Sequence, residues 1–485
     1  MSTPHFDVLI LGAGLSGIGA ACHLQRKLKH KTYAILERRE AIGGTWDLFR
    51  YPGIRSDSDM STFGYNFRPW RESKVLADGP SIKRYVSDTA EQYDVTRHIH
   101  FSRQVTEARW SSADARWTVV ATHTQTGQTE RYTAQFLIAA TGYYDYDAGF
   151  TPEFPGRQNF KGRIVHPQHW PEDLEYAGKK VVVIGSGATA ITLVPSMAAR
   201  GAQVTMLQRS PTYVLSVPAV DPLWSRLSRF LPMKAVYAAT RARNIGLQRA
   251  LFVASRERPT VVRRMIRALT RRQLRGQVDM KHFSPRYNPW EERLCVVPDG
   301  DLFRALRKGE ARIVTDTIKS FDATGIQLDS GEHLEADIIV TATGLNLRLF
   351  GGAAMSVDGK PVDIQRHMAY KGMMLSDIPN LLAIFGYTNA SWTLKADIVS
   401  EHFFRMLAHM DKKGFSVVTP RPGSTQATEE TVMGSLASGY VRRGAVHLPR
   451  QGDRSPWTVL NDYLRDAAAL KLGSVTHPAL EYRKH

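Results

Sequence analysis

The chain carries the same short design twice, and this repetition constrains its fold more than any other feature. DVLIL at residues 7–11 runs straight into GAGLSG at 12–17, a helical pattern to about Leu28, and YAIL at 33–36 closed by Glu37. KVVVI at 180–184 runs into GSGATA at 185–190, a helical pattern to about Arg200, and VTML at 204–207 followed by Gln208, Arg209 and Ser210. Each reads as strand, glycine turn, helix and parallel strand, the βαβ unit that receives a dinucleotide. A lone GxGxxG is a weak signal, but two copies in full context are strong. The first glycine of each copy, Gly12 or Gly185, makes the tight turn. The second, Gly14 or Gly187, lacks a Cβ and lets the backbone approach a pyrophosphate. The third position packs helix on strand and is Gly17 in one copy and the small Ala190 in the other. The phosphates then face a helix N-terminus, where free N–H groups and the dipole favour anions.

The residue closing each second strand separates the two ligands. Glu37 suits a ribose diol and repels a 2′-phosphate, so the first unit is expected to hold FAD or NAD. Arg209 with Ser210 suits a 2′-phosphate through its fork of N–H donors, so the second is expected to hold NADP(H). FAD in the first unit and NADPH in the second describe a flavoenzyme with two dinucleotides. The fold class expected is α/β, with two Rossmann-like dinucleotide-binding domains and a helical insertion in the NADPH domain. At 485 residues there is room for about two to four domains. FLIAATG at 136–142 and ADIIVTATG at 336–344 end apolar strands in Ala-Thr-Gly and read as points where the chain crosses between domains. The expected division is 1–145 with 345–485 for FAD, and 146–344 for NADPH.

Charge and cysteine content narrow the function classes. There are only two cysteines, Cys22 and Cys295, which excludes a disulfide scaffold and a CxxC redox pair and fits a reducing, cytoplasmic setting. The apolar run at residues 8–11 lacks a basic flank and reads as a first strand rather than a signal peptide. The net charge is +18, yet residues 225–281 alone hold 15 basic and two acidic residues. Val261, Val262, Met265, Ile266 and Leu269 recur there at helical spacing, so the stretch reads as a solvated helical insertion at about 215–290. Few aromatics and no recognisable motif point away from nucleic acid. A peripheral membrane contact and the oligomeric state are left open. His166 and His169 have HxxH spacing, but no third ligand accompanies them and no metal is expected. His402 and His409 read as ordinary helix residues.

Between the two units, residues 160–171 read FKGRIVHPQHWP. Phe160, Gly162, His166, Trp170 and Pro171 match FxGxxxHxxxW(P/D), the fingerprint of Baeyer–Villiger monooxygenases. The chain resembles that family over almost its whole length, including GGTWDLFRYPGIRSD at 43–57, YNPWEERLCVVP at 287–298 and GYTNASWTLK at 386–395. The resemblance implies that FAD is held by Gly12, Gly14, Ser16, Gly17, Glu37, Thr45, Trp46, Asp47, Leu48, Asp57 and, through its backbone, Val105. It implies that NADPH is held by Gly185, Ser186, Gly187, Ala188, Thr189, Ala190, Ile191, Thr192, Arg209 and Ser210, with Arg55 and Ser56 near the nicotinamide. Arg293 matches the family's active-site arginine and Asp57 sits beside the flavin; these two are the catalytic candidates. Where the family often has lysine before that arginine, this chain has Glu292, which leaves the 2′-phosphate to Arg209.

The implied activity consumes NADPH and O2 and converts a ketone to an ester or lactone through a C4a-peroxyflavin. Sulfides and thioamides are further substrates it would oxidise. A permanently charged arginine suits such a site because it can stabilise an oxyanion without losing its proton. Two other readings stand beside this one. An N- or S-oxygenating flavin monooxygenase usually lacks the Trp170–Pro171 ending. A non-catalytic NADPH/flavin redox sensor would bind both cofactors without turnover.

Overall fold

The run at residues 7–11 becomes β1 (His5–Leu11), an interior strand of a nine-stranded sheet in a computed structural model that describes residues 3–292, 294–434, 436 and 438–485. A strand covered on both faces can be apolar at successive positions. Val8, Leu9 and Ile10 are accordingly all fully buried. α1 (Leu15–Lys27) follows and returns the chain to β2 (Tyr33–Leu36). β3 (Thr129–Ala139) lies on the other side of β1; Leu9 is flanked by Ala34 and Leu137, both in parallel register. Later chain completes this sheet. Leu381–Ala383 pairs with β3, and Ala354–Val357 pairs with Arg103–Ser111.

The second repeat builds a separate five-stranded parallel sheet. Its strands are β4 (Arg163–Val165), β5 (Lys180–Ile184), β6 (Gln203–Gln208), β7 (Ala311–Thr315) and β8 (Ile338–Thr341), in the order β7-β6-β5-β8-β4. α2 (Ala188–Ala198) connects β5 to β6. The two Ala-Thr-Gly segments leave their sheets beside the glycine turns: Ala140 N–H donates to Leu11 O, and Thr341 lies opposite Ile184. Beyond them Tyr144–Gly149 and Leu345–Leu347 pair as an antiparallel ribbon.

The basic stretch between β6 and β7 is helical, with α3 (Met233–Glu257) and α4 (Pro259–Leu274) as its main elements. The five apolar residues at helical spacing in α4 divide between two faces. Val262 and Ile266 are buried in one small core with Tyr213, whereas Val261, Met265 and Leu269 face outward. One residue turns a helix by about 100°, enough to move the second set off the buried face. Among the described residues no helix is long and apolar enough to cross a membrane.

Candidate active site

The first turn is a closed cradle. Gly12 has φ +99°, and a Cβ there would lie 2.9 Å from the Ala140 carbonyl oxygen. A Cβ on Gly17 would lie 1.9 Å from the Gly12 oxygen, so helix and turn meet as closely as backbone allows. Gly14 faces a second glycine pair, Gly43 and Gly44, whose φ values are +132° and +57°. No side chain caps α1. The Trp392 indole N–H donates to Ser16 Oγ at 2.7 Å, which leaves the Ser16 proton for another acceptor.

Glu37 is buried at the end of β2. Its Oε2 accepts from Ala13 N–H at 2.6 Å and its Oε1 from Arg39 N–H at 2.8 Å. Burial pushes its carboxyl above the usual range, against the pull of those two N–H groups. Each oxygen can accept a further hydrogen bond, and Glu37 lines the cavity together with Thr45, Trp46 and Val105. Thr45 Oγ1 lies 3.3 Å from the Tyr146 hydroxyl, which burial pushes up to about 12 and so keeps protonated. Asp47 and Leu48 are not on this wall. Asp47 turns back to Arg39 and Lys83, both at 2.6 Å, and Leu48 packs into the core of the second unit. Burial pushes the Asp47 carboxyl up, but the Lys83 and Arg39 contacts outweigh it and hold the group below its usual range.

The second turn is open. Gly185 has φ +137° and its Cβ would lie 2.3 Å from Ala342 O, but a Cβ on Gly187 would meet nothing within 4 Å. Ala190 is buried against the sheet. Gln208, the counterpart of Glu37, turns inward and donates to His282 O at 2.9 Å and Thr315 Oγ1 at 2.8 Å. The next two residues, Arg209 and Ser210, are exposed, and the Ser186 hydroxyl donates to Ser210 O at 3.0 Å.

One cavity of about 550 Å³ runs from the first turn to the helix that follows the second, lined by Gly12, Gly14, Ser16 and Glu37 on one side and by Ala188, Thr189, Ile191 and Thr192 of α2 on the other. Gly185, Ser186, Gly187, Arg209 and Ser210 stand outside its wall. Residues 51–57 span the gap. Gly53 presses on α2 so closely that a Cβ would lie 1.9 Å from Ser196 Oγ, and Arg55 pairs with Asp301 at 2.6 Å. Arg55, Ser56 and Asp57 all line the cavity; the Ser56 hydroxyl donates to Ser58 O at 2.8 Å. Arg293 lies outside the described residues, while its neighbours Trp290 and Leu294 line the same cavity.

Phe160, Gly162, Trp170 and Pro171 do not line the cavity. Phe160 packs on Phe321, Gly162 meets Asp337 O, and Trp170 packs on Tyr176. His166 is the member of the fingerprint that reaches the crossover ribbon. Its Nδ1 accepts from Gln168 N–H at 3.2 Å, so its Nε2–H donates to Gly344 O at 3.1 Å. Burial pushes its pKa down, which suits a neutral ring lying against Gly149. Tyr146 and the Trp392–Ser16 bond are site features that sequence reasoning did not single out. No local motif marks Tyr146, and Trp392 had only its place in the 386–395 segment.

The pyridine nucleotide-disulphide oxidoreductase family model matches residues 9–223, which include both glycine turns. The two cysteines sit in separate cores, Cys22 in the first unit and Cys295 in the second. Relatives match along nearly their whole length. The putative FAD-containing monooxygenase MymA of Mycobacterium tuberculosis is 56% identical over 96% of this chain and 95% of its own. The FAD-containing monooxygenase EthA of the same organism is 54% identical over 99% and 98%. The probable FAD-binding monooxygenase AlmA of Acinetobacter baylyi is 52% identical over 99% and 96%. Among solved structures, an oxidized steroid monooxygenase bound to NADP matches 99% of this chain and 100% of its own at TM-score 0.78 and 23% identity. An open cyclohexanone monooxygenase matches at TM-score 0.77 and 20% identity, with the same coverage, a likeness of fold.

Proposed function

Because the chain belongs to the FAD-containing monooxygenases, we propose that it is an NADPH-dependent enzyme of Baeyer–Villiger type. It would place one oxygen atom of O2 into a ketone, with sulfides and thioamides as further substrates. The observation that carries this reading is the cavity walled by the first glycine turn and by the start of α2, which follows the second. It gives two dinucleotides one chamber in which their reactive rings can meet.

The residues fit both cofactors. The first cradle has no room for a Cβ at Gly12 or Gly17, and Glu37 offers two carboxylate lone pairs. FAD would lie there, with its ribose on Glu37 and its pyrophosphate on the Ser16 hydroxyl and the N-terminus of α1. NADPH would lie across the second turn, its 2′-phosphate held by Arg209 and Ser210. When bound, these cofactors supply the electrons and activate O2. The chain's own part is to orient, to exclude water and to hold charge. Arg293 would balance negative charge at the substrate carbonyl oxygen, and Asp57, on the cavity wall, would orient it. His166 would hold the crossover ribbon in register. On this reading the FAD domain comprises 1–145 and 345–485 and the NADPH domain 146–344, in a cytoplasmic enzyme.

The test is product analysis by mass spectrometry across ketones and sulfides with NADPH and O2. Esters from ketones are expected. Sulfoxides without esters would favour an N- or S-oxygenating enzyme, and NADPH left unconsumed with every substrate would favour a sensor.

A further inference from the structure

The helical insertion leaves an apolar strip uncovered. On α4, Val261, Met265 and Leu269 are 60%, 44% and 46% exposed. Their four-residue spacing stacks them along one side of the helix. Arg264 and Arg271 flank the strip and Arg272 falls within it; all three are exposed, and among the described residues none is in an ion pair. The adjoining face of α4 is already used, because Val262 and Ile266 pack with Leu251 and Ala254 of α3. On α3, Leu247 is 61% exposed and also lines the cavity, so this helix pair stands between solvent and the site.

An apolar strip beside unpaired arginines on a helix without a membrane span is the pattern of a surface that lies on a bilayer. Charge decides among the occupants. Residues 225–281 carry 15 basic and two acidic residues. A second copy docked by the same surface would set this excess against itself. Duplex nucleic acid would satisfy the charge but not the strip of valine, methionine and leucine. An anionic membrane satisfies both. We propose that α4, with the neighbouring face of α3, docks on an anionic lipid bilayer, so that the Leu247 side of the cavity opens at the membrane surface. This proposal does not depend on which substrate is oxygenated.

The experiment is flotation of the full-length, FAD-loaded protein with vesicles of phosphatidylcholine alone or mixed with phosphatidylglycerol. The mixed vesicles are expected to bind at least roughly tenfold more protein, with the excess lost at high salt. Arg264→Ala/Arg271→Ala/Arg272→Ala should lower binding to the mixed vesicles roughly 100-fold. Met265→Ser/Leu269→Ser, which keeps every charge, should lower it roughly tenfold. FAD content and melting temperature of each variant report folding, and if the arginine variant misfolds the serine variant carries the test. Equal binding to both vesicle types, or none, overturns the proposal. So does a concentration-dependent dimer that Met265→Ser/Leu269→Ser disrupts in protein that does not float. Tight binding of duplex DNA without flotation overturns it as well.

Discussion

The two glycine turns share a sequence pattern and differ in enclosure. At the first, Gly14 faces Gly44, Trp392 reaches in to Ser16, and Glu37 is buried between two N–H donors. At the second, a Cβ on Gly187 would meet nothing within 4 Å, Gln208 has turned into the core, and Arg209 is exposed. A motif specifies where a phosphate can lie, while its surroundings decide how firmly a ligand is held. In the proposed reading, the enclosed turn keeps FAD through every cycle and the open turn lets NADPH exchange.

The largest effect is expected where the turns differ most in packing. Gly17→Ala puts a Cβ against the Gly12 oxygen, and neither backbone can yield without opening the turn. It should cost on the order of 3–5 kcal/mol and abolish FAD retention, read by calorimetry and by flavin released on heating. A variant with normal melting and full FAD would mean that the first turn is as tolerant as the second. Arg293→Ala tests the proposed chemistry rather than either turn. Ester formation should fall by at least ~10²-fold, with hydrogen peroxide appearing in its place while FAD is retained. Ester and peroxide measured in one reaction decide this, and a near wild-type ester yield would remove Arg293 from the chemistry.

Arg209→Ala tests the open turn alone. NADPH binding should weaken by about 1.5–3 kcal/mol while NADH is unaffected. Equal losses with both nucleotides would make the arginine a structural residue. The enclosed unit should also be the more acid-sensitive. His402, on the helix Trp392–Lys413, is fully buried; its Nδ1–H donates to Leu470 O at 2.7 Å and its Nε2 has no partner. Burial pushes its pKa down from 6.5 to about 4. The unfolded chain therefore takes up a proton that the folded one refuses, and stability falls as pH drops from 6.5 toward 4. The loss should reach about 1–2 kcal/mol by pH 5, and His402→Gln should flatten that part of the curve. An unchanged slope would assign the acid sensitivity elsewhere. The smallest effect is expected from Ala190→Gly, the reverse of the first change in the second turn. It should cost no more than about 1 kcal/mol by calorimetry; a larger loss would show that the second helix depends on that methyl group.

Both glycine turns, their strands and the closing Glu37 and Arg209 were legible in the sequence because a βαβ unit is a local object. Its strand, turn and helix are read within about thirty residues, and each glycine has a backbone reason for its place. The family resemblance implied that Asp47 and Leu48 hold the flavin. Only the fold could show that Asp47 turns back to Arg39 and Lys83, because the wall of a cavity depends on which way each side chain leaves its turn. The five apolar residues of α4 read as one set, and tertiary packing split them by covering one face and leaving the other bare. Trp392 meets Ser16 across 376 residues, and His166 meets Gly344 across 178. No spacing rule reaches that far. Such contacts exist only after the sheets have formed and the crossovers have brought distant segments together, so the two βαβ units are local to the sequence, and tertiary structure alone places the first turn and the start of α2 on one chamber.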